Sequence, residues 1–365
     1  SGYIVAGLLL GPSVLNVVPE HIVESLAPVP HIALGLIAIT IGSEFRIAKL
    51  RQTGRNILII TVVQLLTTFV AVSTALYAFG SPLPMALLLG AIASATAPAA
   101  TLDLDDPGQN YRAFMRTRGD LSGDEVVFYW AGHIYSFVPG EGSRHLFAAD
   151  GYNIGRLEEH GNGYRLLTRE VFVYRDPETG EILEEWPNPY TGDTVGVIHV
   201  WNDPVNSYMP RSQGDWEFSM PYTGLPGGEI SWNLDILLAY PSPLPADSFP
   251  EYSGSNLYQG AELFHFFISR DDLSDSTLTT VPCRLSWTRF GQWLPWMRMA
   301  DRPGYLIYHC AGAKLPGGFE TLPADIRALV ADHDMDFSRA PAEYASPNQT
   351  SWTYFRRLLE AGGRP

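Results

Sequence analysis

Residues 94–107 read SATAPAATLDLDDP, and the character of the chain changes across this stretch. The sequence before it is apolar and sparsely charged, which is typical of helices buried in lipid. The sequence after it is polar, rich in aromatic residues and patterned with a period of two, which is typical of β-strands. We therefore expect two domains, residues 1–102 and residues 103–365, that meet without a linker.

The net charge of −15 is unevenly distributed along the chain. Residues 1–102 carry four basic and three acidic side chains, so the acidic excess lies almost wholly in residues 103–365. An acidic surface repels phosphate groups, and no nucleic-acid partner is expected. Two cysteines, Cys283 and Cys310, are too few for a disulfide framework and lack the spacing of a metal site. We expect neither a metal nor a cofactor.

Four apolar runs cover about 2–18, 31–45, 57–79 and 84–102. The third and fourth are long enough to cross the hydrocarbon core of a bilayer as helices. All four basic residues of this part lie close together, between positions 46 and 55. Because basic loops stay on the cytoplasmic side, the pattern predicts a multi-pass membrane protein with residues 103–365 in the cytoplasm.

Three motifs in the first part occur in a characteristic order: GYIVAGLLLGPS at 2–13, IGSEF at 41–45 and ATAPAAT at 95–101. Together they resemble the monovalent cation:proton antiporters, particularly the potassium-efflux-like branch. The resemblance implies a monovalent cation and a proton as transported species. It also implies an unwound crossover helix, with Thr96, Pro98 and Thr101 on the ion pathway.

The resemblance further implies that the ion is bound on the helix after the crossover, by an Asp-Asp or Asn-Asp pair. Here Asp105 and Asp106 are the only adjacent pair nearby, and they stand in a polar segment flanked by Pro107, which predicts a solvated turn. The single acid within the four runs is Glu44, at a cytoplasmic end. Proton exchange needs a titratable group at mid-bilayer, so we expect that this chain alone does not exchange cations.

The second part shows about ten strand-like segments with short turns and no interleaved helices. This pattern predicts antiparallel sheet, and so many strands favour a closed or half-closed, lipocalin-like barrel. Within it, 126–138 is interpreted as two strands joined at Ala131-Gly132. Helices are expected late, at 323–332 and 351–360.

All nine tryptophans lie in the second part, where they either fill the core or line a pocket for a flat apolar ligand. Four histidines, His133, His199, His265 and His309, sit in strand-like runs and are weak catalytic candidates, with Asp235 as a possible acid–base partner. Ordinary hydrogen-bonded core histidines would give the same pattern. The residues leave open whether this part is an enzyme.

Further motifs in the second part are LDDP at 104–107, FVPGE at 137–141, REV at 169–171, WPNP at 186–189, NDPVN at 202–206 and QTSWTYF at 349–355. They resemble the domain-of-unknown-function family eighteen thirty-eight, which implies a complete soluble module without an assigned activity. The sequence thus predicts a membrane protein in which a partial cation:proton antiporter domain is fused to a barrel-like domain. The alternative is a soluble domain that binds or modifies a small hydrophobic molecule, with the first helices an anchor or an artefact.

Overall fold

The computed structural model describes residues 55–95 and 102–362. Its contacts divide the chain into two compact units, Ser1–Ala99 and Ala100–Pro365. The apolar runs predicted at 2–18 and 31–45 lie outside the described residues, as do Thr96, Pro98 and Thr101.

In the first unit, helix α1 (Arg55–Ala78) is followed by helix α2 (Leu83–Ala95). The turn between them contains Gly80 with a φ of 88°, a left-handed conformation that glycine adopts without strain. The helices approach closely at Gly90, where an added Cβ would collide with the Ser73 side chain. Among the residues described, we find no helix with both the length and the apolarity of a bilayer span.

The second unit begins with helix α3 (Pro107–Arg118), which the sequence analysis missed. The Asp106 carboxylate caps it by accepting a 2.8 Å hydrogen bond from the Gln109 amide, and Pro107 occupies the first turn, where no backbone donor is needed. Asp105 and Asp106 are exposed, as expected, but they precede a helix and do not form a free turn.

The strands follow in chain order. They are β1 (Val126–Phe137), β2 (Arg144–His160), β3 (Gly163–Arg175), β4 (Glu185–Pro187), β5 (Thr194–Gly196), β6 (Val200–Asn202), β7 (Ser207–Pro210), β8 (Ser212–Gln213), β9 (Trp216–Glu217), β10 (Tyr222–Gly224), β11 (Glu229–Pro241), β12 (Leu257–Ser269), β13 (Arg284–Gly291) and β14 (Tyr305–Leu315). The later strands of the described part are accompanied by three α-helices, α4 (Arg270–Ser274), α5 (Ala324–Ala331) and α6 (Ser351–Glu360), and by two 3-10 helices, Pro295–Met297 and Gly318–Thr321. The two late helices are where the sequence predicted them. Segment 126–137 is one continuous strand, so its division into two was wrong.

The main sheet is antiparallel and runs β10-β11-β12-β13-β14-β1-β2-β3-β6, with β7 also on β3. The prediction of a closed, lipocalin-like barrel is wrong, because no pairing within the described residues joins the two ends of this order. Both terminal strands, β10 and β6, have only three residues. The sheet is nevertheless curled: the Phe172 ring of β3 lies 5.8 Å from Trp287 of β13 and 6.2 Å from Tyr308 of β14.

The two faces of the sheet bury different sets of side chains. The inner face carries the larger core, which is rich in aromatic residues and includes Phe128, Phe172, Trp232 and Trp287. The outer face of β1–β3 is covered by α5, whose Ile326 is buried among strand residues. Alternate residues of a strand point to opposite faces, so a side chain's position in the sequence decides which environment it enters.

Helix α6 closes part of the inner face. Thr350 and Thr353 cap it reciprocally, each side chain bonding to the other's backbone amide. Trp352 is buried and meets the Tyr258 ring edge-on, with the ring centres 4.8 Å apart. The helix therefore places an indole over the strands that carry the polar side chains described next.

Candidate functional site

A row of three polar side chains crosses the inner face of the sheet on β12, β13 and β14. Glu262 pairs in register with Arg289, and Arg289 pairs with Tyr308. Directly opposed residues of antiparallel strands lie on the same face within contact distance. Register alone thus places a carboxylate, a guanidinium and a phenol side by side in an otherwise aromatic core.

Arg289 is held by this row and by the aromatic rings around it. Its Nη2 donates a 2.7 Å hydrogen bond to the Tyr258 hydroxyl, and its Nε lies 3.4 Å from Glu262 Oε1. The guanidinium lies 5.0 Å above the Tyr308 ring and 5.8 Å from that of Trp352, within cation–π range. Burial would lower the pKa of Arg289, but Tyr258, Tyr308 and Glu262 outweigh burial and raise it well above its ordinary value.

Glu170 enters the same space from β3. It shares a strand face with Phe172 and Tyr174, and Asn202 of β6 donates a 3.2 Å hydrogen bond from Nδ2 to Glu170 Oε2. Burial raises the pKa of Glu170 to about 7, and the nearby Glu262 carboxylate adds to the rise, against the lowering effects of Asn202 and Arg289. A carboxyl group with a pKa near 7 exchanges a proton readily at neutral pH.

These side chains surround a cavity of about 160 Å³. Aromatic rings make up much of its wall, and amide, hydroxyl and carboxyl groups make up the rest. The lining residues are Glu170, Phe172, Tyr174, Val200, Asn202, Val205, Leu238, Tyr240, Tyr258, Glu262, Trp287, Arg289, Tyr308, Gln349, Thr350, Ser351 and Trp352. An apolar wall with a few convergent polar groups is the usual composition of a small-molecule site.

Three lining residues each bury a polar atom that makes no hydrogen bond in the described part of the chain: Asn202 Oδ1, Trp287 Nε1 and Arg289 Nε. The Tyr308 hydroxyl is also buried and is hydrogen-bonded with that of Tyr174. The Arg289 Nε contact to Glu262 is an ion pair without hydrogen-bond geometry. Most buried polar groups in proteins are paired, and leaving one unpaired costs about 1–3 kcal/mol. Two atoms thus remain without any partner in the described residues, Asn202 Oδ1 and Trp287 Nε1, and both are covered by their neighbours.

All of these lining residues lie within one family match. Residues 123–359 match the family described as a protein of unknown function (DUF1838). The chain belongs to the DUF1838 family. Residues 1–106 match the transmembrane sodium/hydrogen exchanger family, so both resemblances drawn from the sequence motifs are confirmed. No curated protein matches the chain.

Two of the predicted histidines lie on the outer face of the DUF1838 domain, away from the cavity. His133 and His309 are register partners on β1 and β14, and both are exposed. His133 Nδ1 lies 3.1 Å from Nε2 of His145, a neighbour that the sequence analysis did not single out. No group of three metal-binding side chains occurs among the residues that the structure covers.

His265 and Asp235 also lie on the outer face, on β12 and β11, and both are exposed. The Ser231 hydroxyl lies 3.4 Å from Nδ1 of His265. His199 lies instead beside Tyr174, whose backbone amide donates to its Nδ1. Burial lowers the pKa of His199 to about 4, so this ring is neutral at neutral pH. Of the four histidines, only His133 and His309 are thus brought side by side, and a catalytic role for any of them stays a prediction.

Sequence reasoning missed Glu170, Arg289 and Tyr308 as a group. A usable signal was present: Glu170 shares its strand parity with Phe172 and Tyr174, and Arg289 shares its parity with Trp287. A charged residue in the apolar register of a strand is costly to bury and points to a special environment. The pairing of strands that are distant in the sequence brings these residues together. No local sequence pattern indicates which strands pair or in which register.

Proposed function

We propose that the DUF1838 domain binds a small molecule in the cavity between β3 and β12–β14. The observation that carries the proposal is a cavity of about 160 Å³ whose aromatic wall also holds the charged side chains of Glu170, Glu262 and Arg289. A small aromatic molecule would bury its ring against this wall and pair a polar group with one of these side chains.

Tyr308 offers the sharpest test of this proposal. Its ring lines the cavity and its hydroxyl is buried beside that of Tyr174, so Tyr308→Phe should change the stability of the ligand-free protein by no more than about 1 kcal/mol. The same change should weaken binding of small aromatic compounds about tenfold, because it alters the polar part of the cavity wall. Tyr305→Phe is the matched control, since Tyr305 lies on the same strand but on the outer face.

Tryptophan fluorescence provides the readout. All nine tryptophans follow residue 103, and Trp287 and Trp352 line the cavity. Titration of the full chain with benzoate, phenol and benzamide should change the emission, and the change should need higher concentrations in Tyr308→Phe only. If no compound perturbs the fluorescence or the unfolding temperature, or if both variants behave alike, the proposal fails.

For the exchanger-like part, we propose that residues 1–102 attach the chain to a lipid bilayer, with the basic segment 46–55 and the DUF1838 domain on the cytoplasmic side. The exchanger-family match and the clustering of basic residues support this arrangement. Membranes washed with carbonate should retain the full chain, and protease added from the cytoplasmic side should cleave within residues 103–365. Release of the intact chain by carbonate would contradict the proposal.

We propose further that this polypeptide alone does not exchange a cation for a proton. The nearest acids after the crossover motif, Asp103, Asp105 and Asp106, are exposed beside helix α3 and so do not supply a buried titratable group. Proteoliposomes containing only this chain should show no cation-dependent proton flux above protein-free vesicles. Robust flux would refute the proposal and would make Thr96, Pro98 and Thr101 the first positions to mutate.

A further inference from the structure

The outer face of β1 and β2 carries two imidazole rings in contact with each other. His133 of β1 and His145 of β2 are both exposed, and their ring centres lie 4.8 Å apart. Nδ1 of His133 is 3.1 Å from Nε2 of His145. The two residues are twelve positions apart in the sequence, a spacing that matches no metal-site motif, so the sequence alone does not indicate this pair.

A β-bulge places His145 on this face. Strands β1 and β2 pair residue by residue as far as Ile134 with Phe147, but the next pair is Tyr135 with His145, so Leu146 is an extra residue. Leu146 is buried in the inner core, whereas His145 is exposed. Without the extra residue, Leu146 would face outwards and His145 inwards, because neighbouring strand residues alternate between faces. Bulges are common beside functional sites, where they redirect a side chain.

Three potential metal ligands meet at this pair. Nε2 of His145 lies 3.0 Å from the Phe147 carbonyl oxygen as well as 3.1 Å from Nδ1 of His133. A carbonyl oxygen can only accept a hydrogen bond, so Nε2 carries the proton and Nδ1 of His133 presents its lone pair. A single proton therefore lies where two imidazole nitrogens and one oxygen come together.

The distances suit a metal ion in place of this proton. Zinc binds imidazole nitrogen at about 2.0–2.1 Å, so two ligand atoms of a tetrahedral site are about 3.3 Å apart. The separations of 3.1 Å and 3.0 Å differ from that value by only a few tenths of an ångström. Imidazole nitrogen is a preferred ligand of zinc, copper and nickel, whereas magnesium and calcium prefer oxygen.

The surroundings of the pair also favour a cation. The Tyr135 ring lies 6.3 Å from the His133 ring and 5.1 Å from that of His145, so a third ring packs against both. Arg144 directs its guanidinium elsewhere, 5.1 Å from the Tyr190 ring and 3.7 Å from Glu141. The chain as a whole has a net charge of −15, which attracts cations to its surface.

We infer that His133 and His145 bind a divalent transition-metal ion of the kind that favours imidazole, with Zn²⁺ as the probe. The ligands are Nδ1 of His133, Nε2 of His145 and the Phe147 carbonyl oxygen, and water completes the coordination. The site lies on the opposite face of the sheet from the cavity, so it does not depend on the proposed function. Because the ion joins β1 to β2 in the folded chain only, it also stabilises the fold.

Calorimetric titration of the metal-free full chain with Zn²⁺ at pH 7.5 tests the inference. His133→Ala and His145→Ala should each weaken Zn²⁺ binding by about tenfold or more, since losing a group that merely orients a ligand already costs that much. His265→Ala is the matched control, because His265 is also exposed on the outer face but lies on β12. Mg²⁺ should not compete with Zn²⁺ at equal concentration.

Two further measurements do not depend on the affinities of the variants. Zn²⁺ should raise the unfolding temperature of the wild type and of His265→Ala but not that of the other two variants. In the wild type, Zn²⁺ should displace the imidazole NMR signals of two of the nine histidines. The inference is overturned if the wild type does not bind Zn²⁺, if either His133→Ala or His145→Ala binds it as tightly as the wild type, or if His265→Ala loses as much affinity as they do. Equal binding of Mg²⁺ would overturn the class of ion.

Discussion

Replacing Glu170 by glutamine should make the DUF1838 domain more stable at alkaline pH while leaving its stability unchanged in acid. The carboxyl group of Glu170 is buried beside Glu262, which raises its pKa from 4.5 to about 7. A group whose pKa is raised by folding binds its proton more tightly in the native state. Its contribution to stability is therefore complete below pH 4.5 and is lost as the pH rises through 7.

The size of the effect follows from the shift. At 1.36 kcal/mol for each pKa unit, ionising Glu170 in the folded protein costs about 3 kcal/mol. Glutamine has the same shape and is always neutral, so Glu170→Gln avoids this cost. The free energy of unfolding should exceed that of the wild type by up to about 3 kcal/mol above pH 8, and the two should converge towards pH 4.

Urea unfolding of the full chain between pH 4.5 and 8.5, followed by tryptophan fluorescence, measures this difference. The signal reports on the second unit alone, because the chain has no tryptophan before Trp130. Glu181→Gln is the control, since Glu181 is an exposed turn residue. A constant offset between Glu170→Gln and the wild type at every pH would refute the electrostatic reasoning, as would a variant that is less stable at pH 8.

Three further predictions concern the frame of the DUF1838 domain. Asn110→Ala should lower the free energy of unfolding by about 3 kcal/mol, because this buried side chain makes three hydrogen bonds to backbone groups. Urea unfolding measures the loss, and a smaller value would contradict this role of Asn110. Cys283 and Cys310 should not react with a thiol-specific disulfide reagent at pH 8 until denaturant is added, because burial raises the pKa of each thiol to about 12. Rapid reaction of the native chain would show that these thiols are not buried. Gly132→Ala should lower the unfolding temperature sharply, because its Cβ would lie 2.1 Å from a carbonyl oxygen of β14, whereas Gly142→Ala, with open space around it, should not.

Much of the fold could be read from the sequence. Period-two patterning and short turns predicted an antiparallel sheet, and both late helices were predicted, the first of them from a proline at its first turn. Helix α3 was not predicted, although Asp106 and Pro107 form a recognisable helix start. Its charged residues interrupt the apolar pattern of the amphipathic face, and one of them, Arg116, is buried on that face. Closure of a barrel depends on whether the outermost strands meet, and strand patterns carry no information about that distance.

The candidate site was harder to predict for a different reason. The histidines were predicted as catalytic candidates because the imidazole side chain can act as an acid or a base. Strand parity alone places three of them, His133, His265 and His309, on the outer face of the sheet. Glu170 and Arg289 stand on strands separated by β14, β1 and β2 in the sheet order, and only the curl of the sheet brings both to one cavity. Large aromatic side chains pack across the inner face of the curled sheet, and the sequence of a single strand does not reveal which of them meet.

The pairing of β1 with β14 joins the first and last long strands of the domain along eleven residue pairs, from Val127 with Leu315 to Phe137 with Tyr305. A ribosome delivers β1 nearly two hundred residues before its partner. Until β14 emerges, one long edge of β1 has no strand to bond, and contacts so distant in sequence form slowly. A chain that ends before residue 305 lacks the partner strand of β1. The main sheet can therefore form completely only after nearly all of the domain has been synthesised.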